Sequence, residues 1–210
     1  MKVELISNLK GVYVLEKKRK YIIIVVIFVL LTIPILFGLY VENIFLQASN
    51  LYAIIILFSG LVVLLSLGEL TDKYGFNIES LEAIKEHDVI KALTEKENRL
   101  NILLLFIITM FMEELIFRYY LINLLFHSLD LNIILALVIS SLVFSLYHIH
   151  TWFTYKNMRI LVIFLSNSFL LGFFLGFIFL TLGFFYCILI HSIIAFLFYF
   201  NLVNRYFKNN

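Results

Sequence analysis

The sequence predicts an all-α polytopic membrane protein with about six transmembrane helices. Hydrophobic residues make up 63% of the 210 residues, charged residues make up 14%, and the mean hydropathy is +1.03. A soluble domain is near half apolar and about a quarter charged, so this excess of apolar side chains points to a bilayer as the solvent. The apolar residues also gather into stretches of about 20 residues, which is the length of one transmembrane helix.

Six apolar stretches qualify, or nearly qualify, as spans. They are residues 21–40, 51–67, 100–126, 131–148, 160–182 and 184–204. The third stretch is long enough to tilt or to begin on the membrane surface. The first follows a basic cluster but lacks a small-residue cleavage site, so we expect a retained span and not a cleaved signal. Only a tight turn separates the last two.

The positive charges support this arrangement. With the N-terminus inside, all but one of the 16 Lys and Arg residues fall on the inner side, and the outer segments 41–50, 127–130 and 181–183 carry none. This agrees with the positive-inside rule. It predicts an integral membrane protein with both termini cytoplasmic. We expect this membrane to be the plasma membrane of a prokaryote. The remaining basic residue, Arg118, lies within a span.

The chain is expected to divide at a charged segment, residues 68–99. Residues 1–98 would hold two spans and this segment, which fits either a short amphipathic helix on the membrane surface or an ordinary solvated loop. Residues 99–206 would form a C-terminal four-helix catalytic core. The net charge of only +2 gives no electrostatic support for binding nucleic acid. The single cysteine, Cys187, is interpreted as a small hydrophobic residue.

The third span carries the first candidate residues. A charged side chain at the bilayer centre costs several kcal/mol, so such residues are functional candidates by default. Glu114 and Arg118 are four residues apart and are predicted to pair on one helix face. Glu113 is rotated by about 100° from Glu114 and has no local cation. A buried glutamate near a water molecule is suited to general acid–base work.

Two histidines in later spans join this group. His148 lies near the inner end of the fourth span and His191 lies well within the sixth, whereas His150 is interpreted as interfacial. A lone histidine on an apolar face is more often a satisfied core residue than a functional one. The whole group also has a structural interpretation, a buried ion-pair network that pins helices together. The occurrence of all these residues in apolar helices favours a catalytic site.

The fifth span contains a stripe of small residues. Ser168, Gly172 and Gly176 recur at intervals of four. Small residues at this spacing let two helices approach closely. We therefore expect the stripe to be a packing surface within the chain and not a dimer interface.

The candidate residues resemble three motifs of the CPBP family of intramembrane proteases, also called the Abi family. The motifs are E-E-x-x-x-R, F-x-x-x-H and H-x-x-x-N. The residues that match them are Glu113, Glu114, Arg118, Phe144, His148 and His191. The last position of the third motif is Ala195 in place of Asn. The resemblance covers about residues 99–206, and the family includes type II CAAX prenyl endopeptidases and proteins linked to bacteriocin processing or self-immunity.

The resemblance implies a glutamate-dependent endopeptidase that hydrolyses a peptide bond near the cytoplasmic face. It assigns the activation of water to Glu113 and His148. It assigns orientation of the site to Glu114 with Arg118, and stabilisation of the oxyanion to His191. The implied partners are a peptide or lipidated-peptide substrate and the lipid bilayer, with no nucleic acid, and nothing in the sequence sets the oligomeric state.

Several alternatives stay open. The loss of one oxyanion donor at Ala195 also fits a catalytically weak or inactive self-immunity or interaction protein on the same scaffold. Buried Glu and His residues also mark transporters and proton relays, but the spans show no obvious inverted repeat. Two His and two Glu form a donor set that zinc accepts. Because there is no H-E-x-x-H motif, we predict that no metal cofactor is used.

Overall fold

A computed structural model of the protein describes residues 19, 21–41, 44, 51–94 and 99–207. The regular structure in these ranges is helical and contains no strand. The helices are α1 (Tyr21–Leu36), α2 (Leu51–Leu70), α3 (Ile78–Ile84), α4 (Asp88–Thr94), α5 (Arg99–Glu114), α6 (Ile133–Tyr147), α7 (His150–Tyr155), α8 (Met158–Leu182) and α9 (Phe184–Tyr206). The prediction of an all-α polytopic membrane protein is confirmed. The division of the chain near residue 98 stays a prediction.

Five helical segments are long and apolar enough to cross a bilayer. They are Leu51–Gly75, Arg99–Ser128, Ile133–Tyr155, Met158–Leu182 and Phe184–Tyr206. They correspond to the second to sixth predicted spans. Three of them extend beyond a single α-helix. π-Helical turns prolong α2 and α5, and α6 continues into α7 after a short turn.

The first predicted span is shorter than expected. Helix α1 ends at Leu36, and the next residues form a turn in which Gly38 has a φ of +85°. A left-handed glycine is a common way to end a helix, because glycine has no Cβ to clash there. Two tyrosines of the π-helical turn that follows α5 contact this end of α1. The Tyr120 hydroxyl donates to the Leu31 carbonyl at 2.5 Å, and the Tyr119 hydroxyl donates to the Leu39 carbonyl.

The charged segment forms two short helices that pack on the protein. Asn77 caps α3 by a reciprocal pair of hydrogen bonds with Ser80, of 2.9 and 2.8 Å. Ile84 and Ile90 are fully buried, in a cluster with residues of α8 and α9. The segment is therefore neither an ordinary solvated loop nor one continuous amphipathic helix. The break between α3 and α4 lets both short helices turn their apolar sides toward the bundle.

The small-residue stripe of α8 packs against α6, as predicted. A Cβ atom on Gly172 would lie 3.2 Å from the Ser141 Cα and 3.1 Å from the Phe144 Cδ1. A Cβ on Gly176 would lie 2.7 Å from the Leu137 Cδ2. Only glycine allows this approach without displacing the neighbouring helix. The close contact holds α6, and with it Phe144 and His148, against α8.

Candidate active site

The end of α5 places three of the candidate residues. Glu113 and Glu114 are the last two residues of α5, and Arg118 lies in the π-helical turn Leu115–Tyr120 that follows. The side chains of Glu114 and Arg118 are fully buried, with 3.2 Å between Glu114 Oε1 and Arg118 Nη1. The pairing predicted from their spacing is confirmed. π-Helical turns are often found at functional sites.

Glu114 is also contacted from α9. His191 Nδ1 lies 2.7 Å from Glu114 Oε1, and the Cys187 thiol donates to Glu114 Oε2 at 2.9 Å. Cys187 and His191 are four residues apart, so they share one face of α9. The interpretation of Cys187 as only a small hydrophobic residue was therefore incomplete, since its thiol helps to hold a carboxylate.

Glu113 has a different environment. Its side chain is buried, and its Oε2 has no hydrogen-bond partner among the described residues. The nearest basic group recorded is His191 on α9, with 3.9 Å between His191 Nε2 and Glu113 Oε2. One ring therefore approaches both glutamates, binding Glu114 through Nδ1 and facing Glu113 with Nε2.

His148 lies just past the end of α6. Its Nδ1 is 2.9 Å from the Phe144 carbonyl oxygen. The Phe144 ring contacts both histidines edge to face, with centroid distances of 4.9 Å to His148 and 5.8 Å to His191. In the part of the chain that the structure describes, His148 and Glu113 form no hydrogen bond with each other. The structure places both on the same cavity instead.

Phe144, the aromatic residue of the second motif, packs against Arg118 and against both histidines. The Arg118 guanidinium carbon lies 4.0 Å from the centroid of its ring. A cation over an aromatic face is stabilised by the ring quadrupole, and the effect grows when both groups are desolvated. Phe144 thus contacts Arg118 on one side and the histidines on others, so it couples α6 to α5 and α9.

The catalytic candidates share a cavity of about 750 Å³. Glu113, His148, His191 and Ala195 line it, whereas Glu114 and Arg118 lie behind its wall. The cavity extends to the end of the bundle where α3, α4 and α7 lie. Other polar residues that line it include Asp72, His87, Thr109, Tyr147, Thr151, Asn167, Ser168 and Asn201. Sequence analysis missed Asn167, although it is a carboxamide in an apolar span and that signal was available.

The metal prediction is not tested by this arrangement. Among the described residues, no group of three or more His, Cys, Asp and Glu side chains is placed to hold a metal ion. Both oxygens of Glu114 already bind protein donors, through Arg118, His191 and Cys187. Of the two His and two Glu that could have bound zinc, Glu114 is therefore already occupied by protein contacts. The absence of a metal cofactor stays a prediction.

Comparison with known proteins supports the motif assignment. Residues 96–197 match a family model described as type II CAAX prenyl endopeptidase, Rce1-like. Neither the curated proteins nor the solved structures yield a match. The matched residues include all five candidate site residues and Ala195. The resemblance to CAAX-type intramembrane proteases is therefore confirmed at the level of the family for this part of an integral membrane protein.

Proposed function

We propose that the chain is an intramembrane endopeptidase in which Glu113 is the general base. The observation that carries this proposal is the shared cavity. Glu113, His148 and His191 come from three different helices and line one space, while the Glu114–Arg118 pair lies behind the wall and orients His191. Groups held in this way act on a bound substrate without reorganisation, which is a large part of enzymatic rate acceleration.

The hydrogen bond of the His148 side chain supports a role for this residue in orienting water. A carbonyl oxygen only accepts, so the bond to Phe144 requires a proton on His148 Nδ1. In the neutral ring, Nε2 then carries a lone pair and accepts a hydrogen bond from water. His148 is thus suited to orient the attacking water while Glu113 takes its proton.

The reaction balances with these groups alone. Glu113 removes a proton from water as the water oxygen bonds to the carbonyl carbon of the peptide. The carbonyl oxygen becomes an oxyanion, to which a protonated His191 donates from Nε2. When the C–N bond breaks, Glu113 returns the proton to the leaving nitrogen, so the carboxylate is regenerated.

The position and lining of the cavity support a proposal for the kind of substrate. Apolar side chains of α1, α2, α5, α8 and α9 line much of the wall, and the cavity reaches the end of the bundle at which most positive charge is predicted to face the cytoplasm. This supports a peptide or lipidated peptide that enters from the cytoplasmic side. Hydrolysis would take place close to that face of the membrane.

The test is a proteomic comparison of cells carrying wild-type protein with cells carrying Glu113→Gln. Gln keeps the size of the side chain and removes the base, so uncleaved precursors should accumulate. The matched control is Glu82→Gln, which removes an exposed carboxylate of α3 and should leave cleavage intact. If no precursor accumulates in cells carrying Glu113→Gln, and these cells behave like those carrying the wild-type protein, the proteolytic proposal fails. The inactive immunity or interaction scaffold suggested by Ala195 would then be favoured.

A further inference from the structure

The proposed reaction needs more than one donor for the oxyanion. Oxyanion sites in acyl-transfer enzymes use several N–H or side-chain donors, and removal of one costs about 10²–10³ in rate. His191 offers only Nε2, because Nδ1 is bound to Glu114 at 2.7 Å. The bond of His148 Nδ1 to the Phe144 carbonyl leaves its neutral ring with an acceptor on the cavity side. No Lys or Arg lies among the described residues that line the cavity.

Asn167 lies on the wall of α8 that faces this cavity. Phe164, Asn167, Ser168 and Leu171 all line it, and their spacing places them on one face of the helix. Asn167 is half-buried, and its carboxamide carries two N–H donors and no charge. A neutral donor of this kind stabilises a developing oxyanion without the cost of burying a further ion.

The contacts of neighbouring residues show where Asn167 lies along α8 relative to the candidate catalytic residues. One turn toward the N-terminus of α8, the Phe164 ring centroid lies 6.3 Å from that of His148. Just over one turn in the other direction, Gly172 packs on Phe144, with its Cβ position 3.1 Å from the Phe144 Cδ1. Asn167 therefore lies between the level of His148 and the level of Phe144, which itself contacts His191.

The facing helix leaves room for this carboxamide. Phe164 also contacts Phe198 of α9, with 6.1 Å between ring centroids. Because α8 and α9 are antiparallel, one turn outward from this contact leads to Asn167 on α8 and to Ala195 on α9. Both residues line the cavity, and the methyl group of Ala195 fills little of the space between them.

We propose that Asn167 is a catalytic residue whose Nδ2 donates to the carbonyl oxygen of the scissile peptide, beside His191 Nε2. The donor that α9 lacks at Ala195 is thus supplied by α8. This inference rests on the proposed endopeptidase function. A side chain at position 195 of α9 would extend into the same part of the cavity as the Asn167 carboxamide. An asparagine introduced at position 195 should therefore replace the carboxamide removed by Asn167→Ala.

The test measures kcat and KM on a precursor peptide taken from the Glu113→Gln comparison. The variants are Asn167→Ala, Ser166→Ala and the double variant Asn167→Ala with Ala195→Asn. Asn167→Ala should lower kcat by about 10²–10³-fold while KM changes far less, because the donor acts mainly in the transition state. Ser166 is an exposed residue of α8 that does not line the cavity, so Ser166→Ala should keep kcat close to the wild-type value. The double variant should recover at least about tenfold of the lost kcat.

The outcomes separate this inference from the proposed function. If Glu113→Gln causes precursors to accumulate but Asn167→Ala leaves kcat unchanged, the role of Asn167 is refuted and the protease stands. An equal loss of kcat in Ser166→Ala also refutes it. So does a loss of kcat that Ala195→Asn does not restore, provided that all variants unfold at the wild-type temperature. If Glu113→Gln has no effect on any precursor, both proposals fall together.

Discussion

Two adjacent glutamates of α5 have opposite environments. Glu114 accepts hydrogen bonds from Cys187 and His191 of α9 and forms an ion pair with Arg118 of the following turn. Glu113 is buried as well, yet its Oε2 has no hydrogen-bond partner among the described residues. A carboxylate whose oxygens are all engaged positions other groups, whereas one with a free oxygen on a cavity can exchange a proton with water.

Substitution of each glutamate by Gln should therefore give different results. Glu114→Gln leaves the Arg118 guanidinium buried without its anion, which should lower the free energy of unfolding by about 3 kcal/mol. Glu113→Gln removes no strong contact and should leave the unfolding temperature in detergent near the wild-type value while cleavage is lost. Thermal unfolding and precursor cleavage, measured on the same preparations, check both. Equal destabilisation by the two substitutions would contradict this division.

Cys187 provides a milder test of the same network. Its thiol donates to Glu114 Oε2 and also lies 3.1 Å from the Leu175 carbonyl. Cys187→Ala removes a weak donor but leaves Arg118 and His191 on the other oxygen, so the unfolding free energy should fall by about 1 kcal/mol. Activity should stay within about tenfold of wild type, which corresponds to at most about 1.4 kcal/mol of activation free energy. The reason is that Arg118 and His191 still hold the other oxygen of Glu114. A complete loss of cleavage in a stably folded Cys187→Ala would give the thiol a chemical role.

The residue-scale predictions succeeded where the relevant contact is local. The Glu114–Arg118 pair follows from a spacing of four on one helix. The contact between Glu114 and His191 joins residues 77 positions apart and depends on how α5 packs against α9, which hydropathy does not encode. For the same reason the expected partnership of Glu113 with His148 became a shared cavity, and His191 is the residue that comes within 3.9 Å of Glu113.

At the scale of elements, the contact of α6 with α8 holds the second motif in place. Gly172 is the closest point, and its neighbours include the backbone of Ser141 and the ring of Phe144. Gly172→Ala should force these apart by a few tenths of an ångström, displacing Phe144 from Arg118 and His191. We expect a loss of about 1–3 kcal/mol in unfolding free energy, together with reduced cleavage.

Gly68→Ala is the matched control for this substitution. Gly68 also lies in a membrane-spanning helix, α2, but nothing lies within 4 Å of its Cβ position. The exchange should be neutral or slightly stabilising, because Ala favours helix more than Gly does. Similar destabilisation of the two variants, measured by thermal unfolding in detergent, would show that helix propensity and not close packing explains the result at Gly172.

Element boundaries were predictable where hydropathy or capping chemistry defines them. The five long spans coincide with apolar stretches, and the stripe of α8 packs as its spacing indicated. The π-helical turns Leu115–Tyr120 and Leu124–Ser128 were not predicted, because a change of hydrogen-bond register leaves no mark on the apolar pattern. For the charged segment the sequence left open a short amphipathic helix or a solvated loop. The structure has two short helices there, and their division depends on the surface that α8 and α9 present.

On the scale of the whole molecule, the catalytic candidates all lie in the last four long helical segments. Helix α2 packs at the periphery, and its only buried residue within Leu51–Leu70 is Ala53. Helix α1 is held to α5 by Tyr120. Many large apolar side chains remain exposed on the outside, including Phe37 and Val62. Such a surface is stable only in contact with lipid.

The topology predicted from the charges is testable with single cysteines, because wild-type Cys187 is fully buried and should give no background. In intact cells, an impermeant maleimide should label Ser128→Cys from outside. It should label Lys85→Cys and Arg19→Cys only after permeabilisation, since retaining Lys and Arg on the cytoplasmic side is what orients the helices. All three positions are exposed. Arg19→Cys also tests whether the short helix α1 crosses the membrane. If Arg19→Cys is labelled from outside while Ser128→Cys and Lys85→Cys behave as expected, α1 does not cross. If Lys85→Cys is labelled from outside and Ser128→Cys only after permeabilisation, the orientation of the whole bundle is the opposite of the predicted one.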